Sequence, residues 1–391
     1  MDDVTVVGGG LAGLVASIAC AEAGKPVRLV EAHAQLGGRA RSTTGDYTAN
    51  YGPHVLYSDG PVWDFLDDRG ILPPFANPPM KGFRLRHRGK LVRTPPLGLV
   101  RPLLHRKTTA PVDVSFRDWA TERWGTDSAA LLASAAGVFS FDANPGCLSA
   151  AFVWERLVRV TSVPPAARYV IGGWTAIVDA LEAHARSLGV TIETGTVLSS
   201  LPDTPSIVAI EPAAARRLLG DETLRWEGAR TALLDIGLRT RRGDPFLVSD
   251  LDEGGWVENF TIPDPSLAPD GHSLLQAQMG LREDETLEEG VVRLEAFLDV
   301  GYKGWRERET WRRRAVIDGR SGALDLPGTT WRDRPAIDRG NGVFVAGDMV
   351  AAPGLLGEVS VTSALSAAKL AVAYAGSTTT AARARPVGLR S

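Results

Sequence analysis

The sequence predicts an α/β protein. Three observations predict it. The chain opens with a short apolar run, a glycine cluster, an Ala- and Leu-rich stretch and a second apolar run, the pattern of a strand–helix–strand unit. Near the end, Gly342–Ala346 and an Ala-rich stretch repeat that texture. Between them lie short runs split by Gly, Pro and Asp, the texture of an antiparallel sheet. A chain of 391 residues leaves room for two to three domains at roughly 150 residues each.

The opening unit reads Val4–Val7 as strand, Leu11–Ala23 as buried helix stopped by Gly24 and Pro26, and Val27–Val30 as strand. Phe83–Arg93 alternates around His87-Arg88-Gly89-Lys90 and predicts a β-hairpin. Ser115–Ser140 has helical spacing. Tyr169–Leu201 reads loop, helix, Gly189, strand, turn, strand, and Ile207–Ile210 is a further strand before a helix at Ala213–Leu219. Thr231–Leu281 predicts several short strands. Glu285–Leu298 is a helix and Glu307–Ile317 a strand. Gly342–Ala346 is a strand and Val359–Tyr374 a helix. The polar tail 376–391 is expected to be disordered.

The apolar fraction of 44% and charged fraction of 23% exclude a disordered, fibrous or multi-span membrane chain. A net charge of −3 points away from nucleic acid. Two cysteines, Cys20 and Cys147, build no disulfide framework, so a reducing, cytoplasmic compartment is expected. Val4–Ala21 is apolar, but it follows Asp2 and Asp3 and holds four glycines, unlike a secretion signal.

Gly8-x-Gly10-x-x-Gly13 follows the first strand and opens the first helix, and Glu31 ends the second strand. Gly8 permits the tight turn, Gly10 lets backbone approach a pyrophosphate, and Gly13 lets helix pack on strand. Leu11 and Ala12 begin the helix, whose free N–H groups favour phosphate. Glu31, followed by Ala32, can accept hydrogen bonds from ribose hydroxyls. The pattern predicts a dinucleotide site.

Gly37-Gly38-Arg39-Ala40-Arg41 then makes the reading more specific. It resembles the second fingerprint of the flavin superfamily that includes monoamine oxidases, protoporphyrinogen oxidase and phytoene desaturases. The resemblance implies non-covalent FAD, with Gly37, Gly38, Arg39 and Arg41 at its pyrophosphate. His33 stands where many amine oxidases have Arg. Gly52-Pro53-His54 resembles the segment beside the flavin ring. Val197 falls where a backbone valine meets the adenine. Gly347-Asp348 would face the flavin phosphate and ribityl chain, and the helix from Gly357-Glu358-Val359 would aim its N-terminus at the flavin pyrimidine. The implied fold is a discontinuous Rossmann-like FAD-binding domain (1–75, 170–230 and 330–375) with an inserted α+β substrate domain (76–169 and 231–329).

The resemblance implies an FAD-dependent oxidoreductase acting on a small molecule. Ala351–Glu358 offers leucines where amine oxidases place aromatic residues, so C–C desaturation of an apolar or lipid-like substrate is the first expectation. Alternatives are amine oxidation, redox-neutral isomerase or mutase chemistry, and a non-catalytic binding module like the Rab GDP-dissociation inhibitors. His54 is the one candidate catalytic residue, either positioning the cofactor or acting as a base. No metal-ligand spacing stands out. The electron acceptor (oxygen, a quinone or another carrier) and the oligomeric state stay open. From Lys81 to Lys107 there are nine Lys or Arg and no Asp or Glu, which reads either as a solvated hairpin and loop or as a peripheral membrane contact.

Overall fold

The computed structural model describes residues 3–52 and 54–383. The chain opens with β1 (Val4–Val7), α1 (Leu11–Glu22) and β2 (Val27–Val30). Short β3 (Leu56–Tyr57), α2 (Pro61–Asp67) and β4 (Phe75–Ala76) follow. A hairpin of β5 (Phe83–His87) and β6 (Lys90–Val92) leads to α3 (Leu97–Leu103), α4 (Phe116–Trp124), α5 (Thr126–Ser140) and α6 (Ala150–Val160). The chain returns through β7 (Ala167–Val170), α7 (Thr175–Ser187), β8 (Thr191–Glu193), β9 (Ser206–Val208) and α8 (Pro212–Leu219). Then come β10 (Gly228–Arg239), β11 (Leu247–Asp250), β12 (Trp256–Asn259), β13 (His272–Gly280), α9 (Leu287–Gly301) and β14 (Glu309–Ala323). β15 (Val343–Val345) and α10 (Gly357–Arg383) complete it.

β15-β9-β1-β2-β8 form one five-stranded sheet, parallel throughout. Such a sheet is buried on both faces, which is why its strands are short and Val-rich. Leu14, Val15 and Ile18 of α1 share a core with Val178 and Leu181 of α7 and with Val361, Ala364 and Ala368 of α10. Val208 and Val345 pack with Ala215 of α8. The Gly357–Gly376 stretch of α10 is long and apolar enough to cross a membrane, but half of it is buried in the structure. Its alanines let α1 approach closely, with Cys20 Sγ 4.0 Å from the Ala368 carbonyl.

The second sheet has seven strands in the order β14-β10-β13-β12-β11-β5-β6, with only β11 and β5 parallel. Strand alternation gives it two unlike faces. Ala232, Leu234, Ile236, Leu275, Ala277 and Met279 point to α9 and meet Leu294, Phe297 and Leu298. The other face carries Asp235, Gln276 and Glu258. Helices α4 to α6 pack around Trp119 and Trp154, whose rings lie 5.4 Å apart.

The structure departs from the sequence reading at several points, among them Tyr169–Val170, expected as loop, which end β7, and the strand expected over Glu307–Ile317, which runs from Glu309 to Ala323. Gly125, at φ +83°, splits the expected helix over Ser115–Ser140 into α4 and α5. No strand forms after the turn near Gly195, and β8 is left as the outer strand of its sheet. The Pro-rich stretch after Thr94 holds α3, started after Pro96, with Pro102 in its last turn. The final helix does not end at Tyr374 but runs to Arg383, into the stretch expected as a tail. The rest of that tail, 384–391, and Pro53 lie outside the described residues.

Candidate active site

The glycine turn after β1 is fixed by close contacts. Gly8 has φ +103°, and a Cβ on Gly13 would lie 1.8 Å from the Gly8 carbonyl oxygen, so no larger residue fits there. Gly10 is different. It has φ −77°, and a Cβ there would meet nothing closer than the Gly37 carbonyl oxygen at 4.0 Å. Nothing within the chain requires glycine at this position, while a phosphate lying on the backbone would. The second loop is zipped to the first: Gly37 N–H donates to the Gly9 carbonyl at 2.7 Å, and Gly10 and Gly37 form a parallel bridge. Leu11 and Ala12 begin α1 beside it. Ala32, Gly38 and Arg39 are exposed along the rim, and Ala40 is buried beneath it.

Glu31 lies at the mouth of this turn. Its carboxylate accepts from Gly9 N–H at 2.7 Å, from His33 N–H at 2.8 Å and from His33 Nδ1 at 2.8 Å. Burial alone would raise the carboxyl, but the bonds from His33 and Gly9 outweigh it and hold it below its ordinary range. The loop after β8 closes against the same edge, with Thr196 N–H donating to the Glu31 carbonyl at 2.9 Å. Val197 follows it and is 77% exposed, so its side chain is not part of the core.

Residues far apart in sequence converge here. Asp348 binds Arg39 through two hydrogen bonds of 2.8 Å, and Gly347 N–H donates to Ser363 Oγ of α10 at 3.0 Å. A Cβ on Gly357 would lie 3.6 Å from Leu11 and 3.7 Å from Trp174, so the starts of α1, α7 and α10 meet. Helix N-termini carry unsatisfied N–H groups and partial positive charge, so their meeting point favours an anionic ligand. Arg41, at the edge, leans over the Tyr51 ring at 5.6 Å. Glu358 is turned elsewhere: its carboxylate binds Arg159 through two hydrogen bonds of 2.6 Å. Val359 is buried next to it.

Gly52 has φ +116°, and His54 follows in the same segment. His54 Nε2 is 3.3 Å from the Arg39 carbonyl, and its ring lies 4.9 Å from that of Trp174. Burial pushes its pKa down to about 4, so it is neutral at neutral pH.

Asn50, which the sequence reading passed over, joins this cluster to the large sheet. Its side-chain oxygen accepts from Trp174 N–H at 2.9 Å and from Ser42 Oγ at 2.8 Å. Its carbonyl accepts from Gln276 Nε2 at 2.9 Å and from Arg313. On the sheet face turned toward it, Arg313, Asp235, Gln276 and Glu258 are direct neighbours across β14, β10, β13 and β12. Arg313 Nε donates to Asp235 at 2.6 Å, Gln276 donates to Asp235 at 3.0 Å, and Tyr169 OH donates to Glu258. Glu258 Oε2, Gln276 Oε1 and Arg313 Nη1 are buried with no hydrogen-bond partner among the described residues. Burial pushes the Glu258 carboxyl up to about 8, only partly offset by Tyr169. The signal was present in the sequence: a lone acid inside Ala232–Leu238 and the alternating Gln276 and Gln278 mark a polar face on otherwise apolar strands.

A cavity of about 760 Å³ lies away from these residues, between α4–α5 and the β11–β12 turn. Two of its arginines already pair, Arg282 with Glu253 at 2.6 Å and Arg293 with Glu285 at 2.8 Å. The geometry of the glycine loops, not the size of a groove, marks the candidate site.

Comparison with known proteins finds likeness over the opening unit and over the whole fold. The family of NAD(P)-binding Rossmann-like domains matches residues 6–69. UDP-galactopyranose mutase of Mycoplasma pneumoniae is 41% identical over 69 residues, which cover 16% of this chain and 17% of that protein. An oxidoreductase from Methanosarcina mazei superposes with a TM-score of 0.72 at 17% identity, over 94% of this chain and 100% of the other. Cyclohexylamine oxidase from Brevibacterium oxydans superposes with a TM-score of 0.71 at 15% identity, over 95% and 99%. The chain therefore has the α/β fold of the FAD-dependent amine oxidase and protoporphyrinogen oxidase flavoenzymes.

Proposed function

We propose that the chain is an FAD-dependent oxidoreductase acting on a small polar molecule, with amine oxidation ahead of desaturation of an apolar one. The observation that carries this is the buried row Arg313–Asp235–Gln276–Glu258, which shares Asn50 with the glycine loops. An apolar substrate would leave Glu258 Oε2, Gln276 Oε1 and Arg313 Nη1 unpaired. Each unsatisfied buried group costs roughly 1–3 kcal/mol. Gln276 Oε1 accepts, Arg313 Nη1 donates, and the Glu258 carboxyl, protonated below about pH 8, can donate from Oε2, so the row suits a polar substrate. The likeness to cyclohexylamine oxidase supports the amine among such substrates.

Bound FAD would supply the two-electron acceptor. The residues of this chain would hold it. Gly8, Gly10, Gly13, Leu11 and Ala12 cradle the pyrophosphate at the start of α1, with Gly37, Gly38, Arg39, Ala40 and Arg41 completing the cradle. Glu31, with Ala32, takes the adenosine ribose, Val197 borders the adenine, and Gly347 and Asp348 face the ribityl chain. Gly52 and His54 flank the ring, and Gly357 to Val359 offer the α10 N-terminus to it. His54, kept neutral by burial, positions the ring and does not abstract a proton. Cys20 is buried between α1 and α10 with its thiol pushed up to about 12, which suits non-covalent attachment.

A second reading, a redox-neutral mutase, has one observation in its favour, the 41% match to UDP-galactopyranose mutase over the glycine-loop region. One experiment separates the readings. The purified protein is expected to be yellow and to release its flavin on acid precipitation. Anaerobic mixing with amines, isoprenoids and sugar nucleotides should bleach the flavin with an amine. Bleaching by isoprenoids alone restores the desaturase expectation. Turnover of a sugar nucleotide only after prior reduction, with no net bleaching, favours the mutase.

A further inference from the structure

The basic stretch 81–107 contains a face that neither the fold nor the candidate site uses. In α3, Leu97 is 74% exposed, and Leu104, its C-cap, is 76% exposed. Exposed Arg101 lies between them at helical spacing, so the three form one outward stripe. The opposite side of α3 is anchored. Gly98 lies so close to Leu131 that a Cβ would be 3.0 Å from it, and Pro102 is buried. Arg106, just after the stripe, donates to the Val158 carbonyl at 2.9 Å and to the Thr161 carbonyl. Those bonds hold the following turn beside α3, and at its tip Val163 is 90% exposed. His105 and Lys107 are exposed at the end of the stripe.

We propose that α3 and the Val163 turn are a docking face for an anionic lipid bilayer. Leu97, Leu104 and Val163 enter the interface, while Arg101 and Lys107 meet headgroup phosphates. Three aliphatic side chains standing in water gain by leaving it. No acidic side chain among the described residues pairs with Arg101 or Lys107, and the stretch 81–107 has no Asp or Glu although the whole chain has net charge −3. That local charge suits an anionic surface. It also disfavours a second copy docking through the same face, since a two-fold contact would set cation against cation. The surface is interfacial and not spanning, because α3 is seven residues long.

Full-length protein should co-sediment with vesicles of 30% phosphatidylglycerol in phosphatidylcholine at least five-fold more than with phosphatidylcholine alone. High salt should reverse most of that binding. The double variant Leu97→Asp, Leu104→Asp should lose it ten-fold or more while keeping the same melting temperature, and Arg101→Glu should lose it in part. Because these side chains are exposed, Leu97→Ser and Leu104→Ser serve as milder variants if the charged pair disturbs folding. Failure to bind the anionic vesicles would overturn the proposal. So would binding unchanged by the leucine variants, equal binding to duplex DNA, or loss of a dimer in those variants. None of these readouts depends on flavin chemistry.

Discussion

In the five-stranded parallel sheet the strand interiors are filled by Val4, Val6, Leu29 and Ile207, and the charged groups of the site, Glu31 and Asp348, stand just past the strand ends. In the seven-stranded sheet Asp235, Gln276 and Glu258 stand in mid-strand, all nearly inaccessible. The difference follows from cover. Helices lie on both faces of the parallel sheet, so chemistry is left only at its carboxyl edge. Helix α9 covers one face of the other sheet, so the opposite face is free to carry polar side chains. In the proposed reading the first sheet would hold a cofactor through backbone and turns, and the second a substrate through side chains. Changes in the two should break different things.

The largest expected effect is on the second sheet. Asp235→Ala leaves the Arg313 guanidinium largely buried and without its carboxylate. Breaking one side of a buried pair costs about 3–5 kcal/mol. Urea unfolding should show that loss, and Asp235→Leu combined with Arg313→Met should recover much of it. A single variant as stable as the parent would mean that water reaches the pair.

The first sheet should respond in its cofactor instead. In the proposed FAD complex Glu31→Ala would remove hydrogen bonds to ribose hydroxyls, each worth roughly 1.5–3 kcal/mol for a charged acceptor. FAD occupancy after dialysis should fall steeply while the secondary structure stays. Gly10 and Gly13 sharpen the point. Gly13→Ala drives a methyl group into the Gly8 carbonyl and should destabilise the fold itself. Gly10→Ala meets open space, so the apoprotein should melt as before and only FAD affinity should drop. If Gly10→Ala binds FAD normally, the pyrophosphate does not lie on Gly10.

How far the sequence revealed these two regions also differs. The glycine loops were readable because backbone geometry demands particular residues at fixed spacing: Gly8 for its positive φ, Gly13 for its close contact. The pairing of Arg39 with Asp348 was not readable, since nothing local links residues that far apart. The polar row was hidden for the same reason. Asp235 and Gln276 each look like one polar residue in an apolar strand, and only the register of β10 against β13 makes them neighbours. Asn50 gave no signal, because its role comes from its contacts and not from its surroundings in sequence.

A smaller effect is expected from Glu258 through pH. Its folded pKa, about 8, is above that of an unfolded carboxyl near ~4.3. The folded state therefore binds the proton more tightly, and stability present at low pH is lost as pH rises from about 4 through 8. Glu258→Gln should flatten that slope in melting temperature. An unchanged slope would show that Glu258 is already ionised in the folded protein.

The smallest effect should come from His54, and it tests whether the first region does more than hold a cofactor. The half-buried imidazole lies against Trp174 and near the Arg39 carbonyl, and its pKa of about 4 makes it a poor proton acceptor. A base effective near neutral pH needs a pKa close to 7. His54→Gln keeps a polar side chain of similar reach, so flavin reduction should slow by only a few-fold while the flavin spectrum shifts. The unfolded chain takes a proton near ~6.5 and the folded one only near pH 4, so stability falls as pH drops through that window. The variant should lose that acid sensitivity. Stopped-flow reduction across pH decides the matter. A loss of about 10²–10⁴-fold, the scale of general base catalysis, with an unshifted spectrum would make His54 the base.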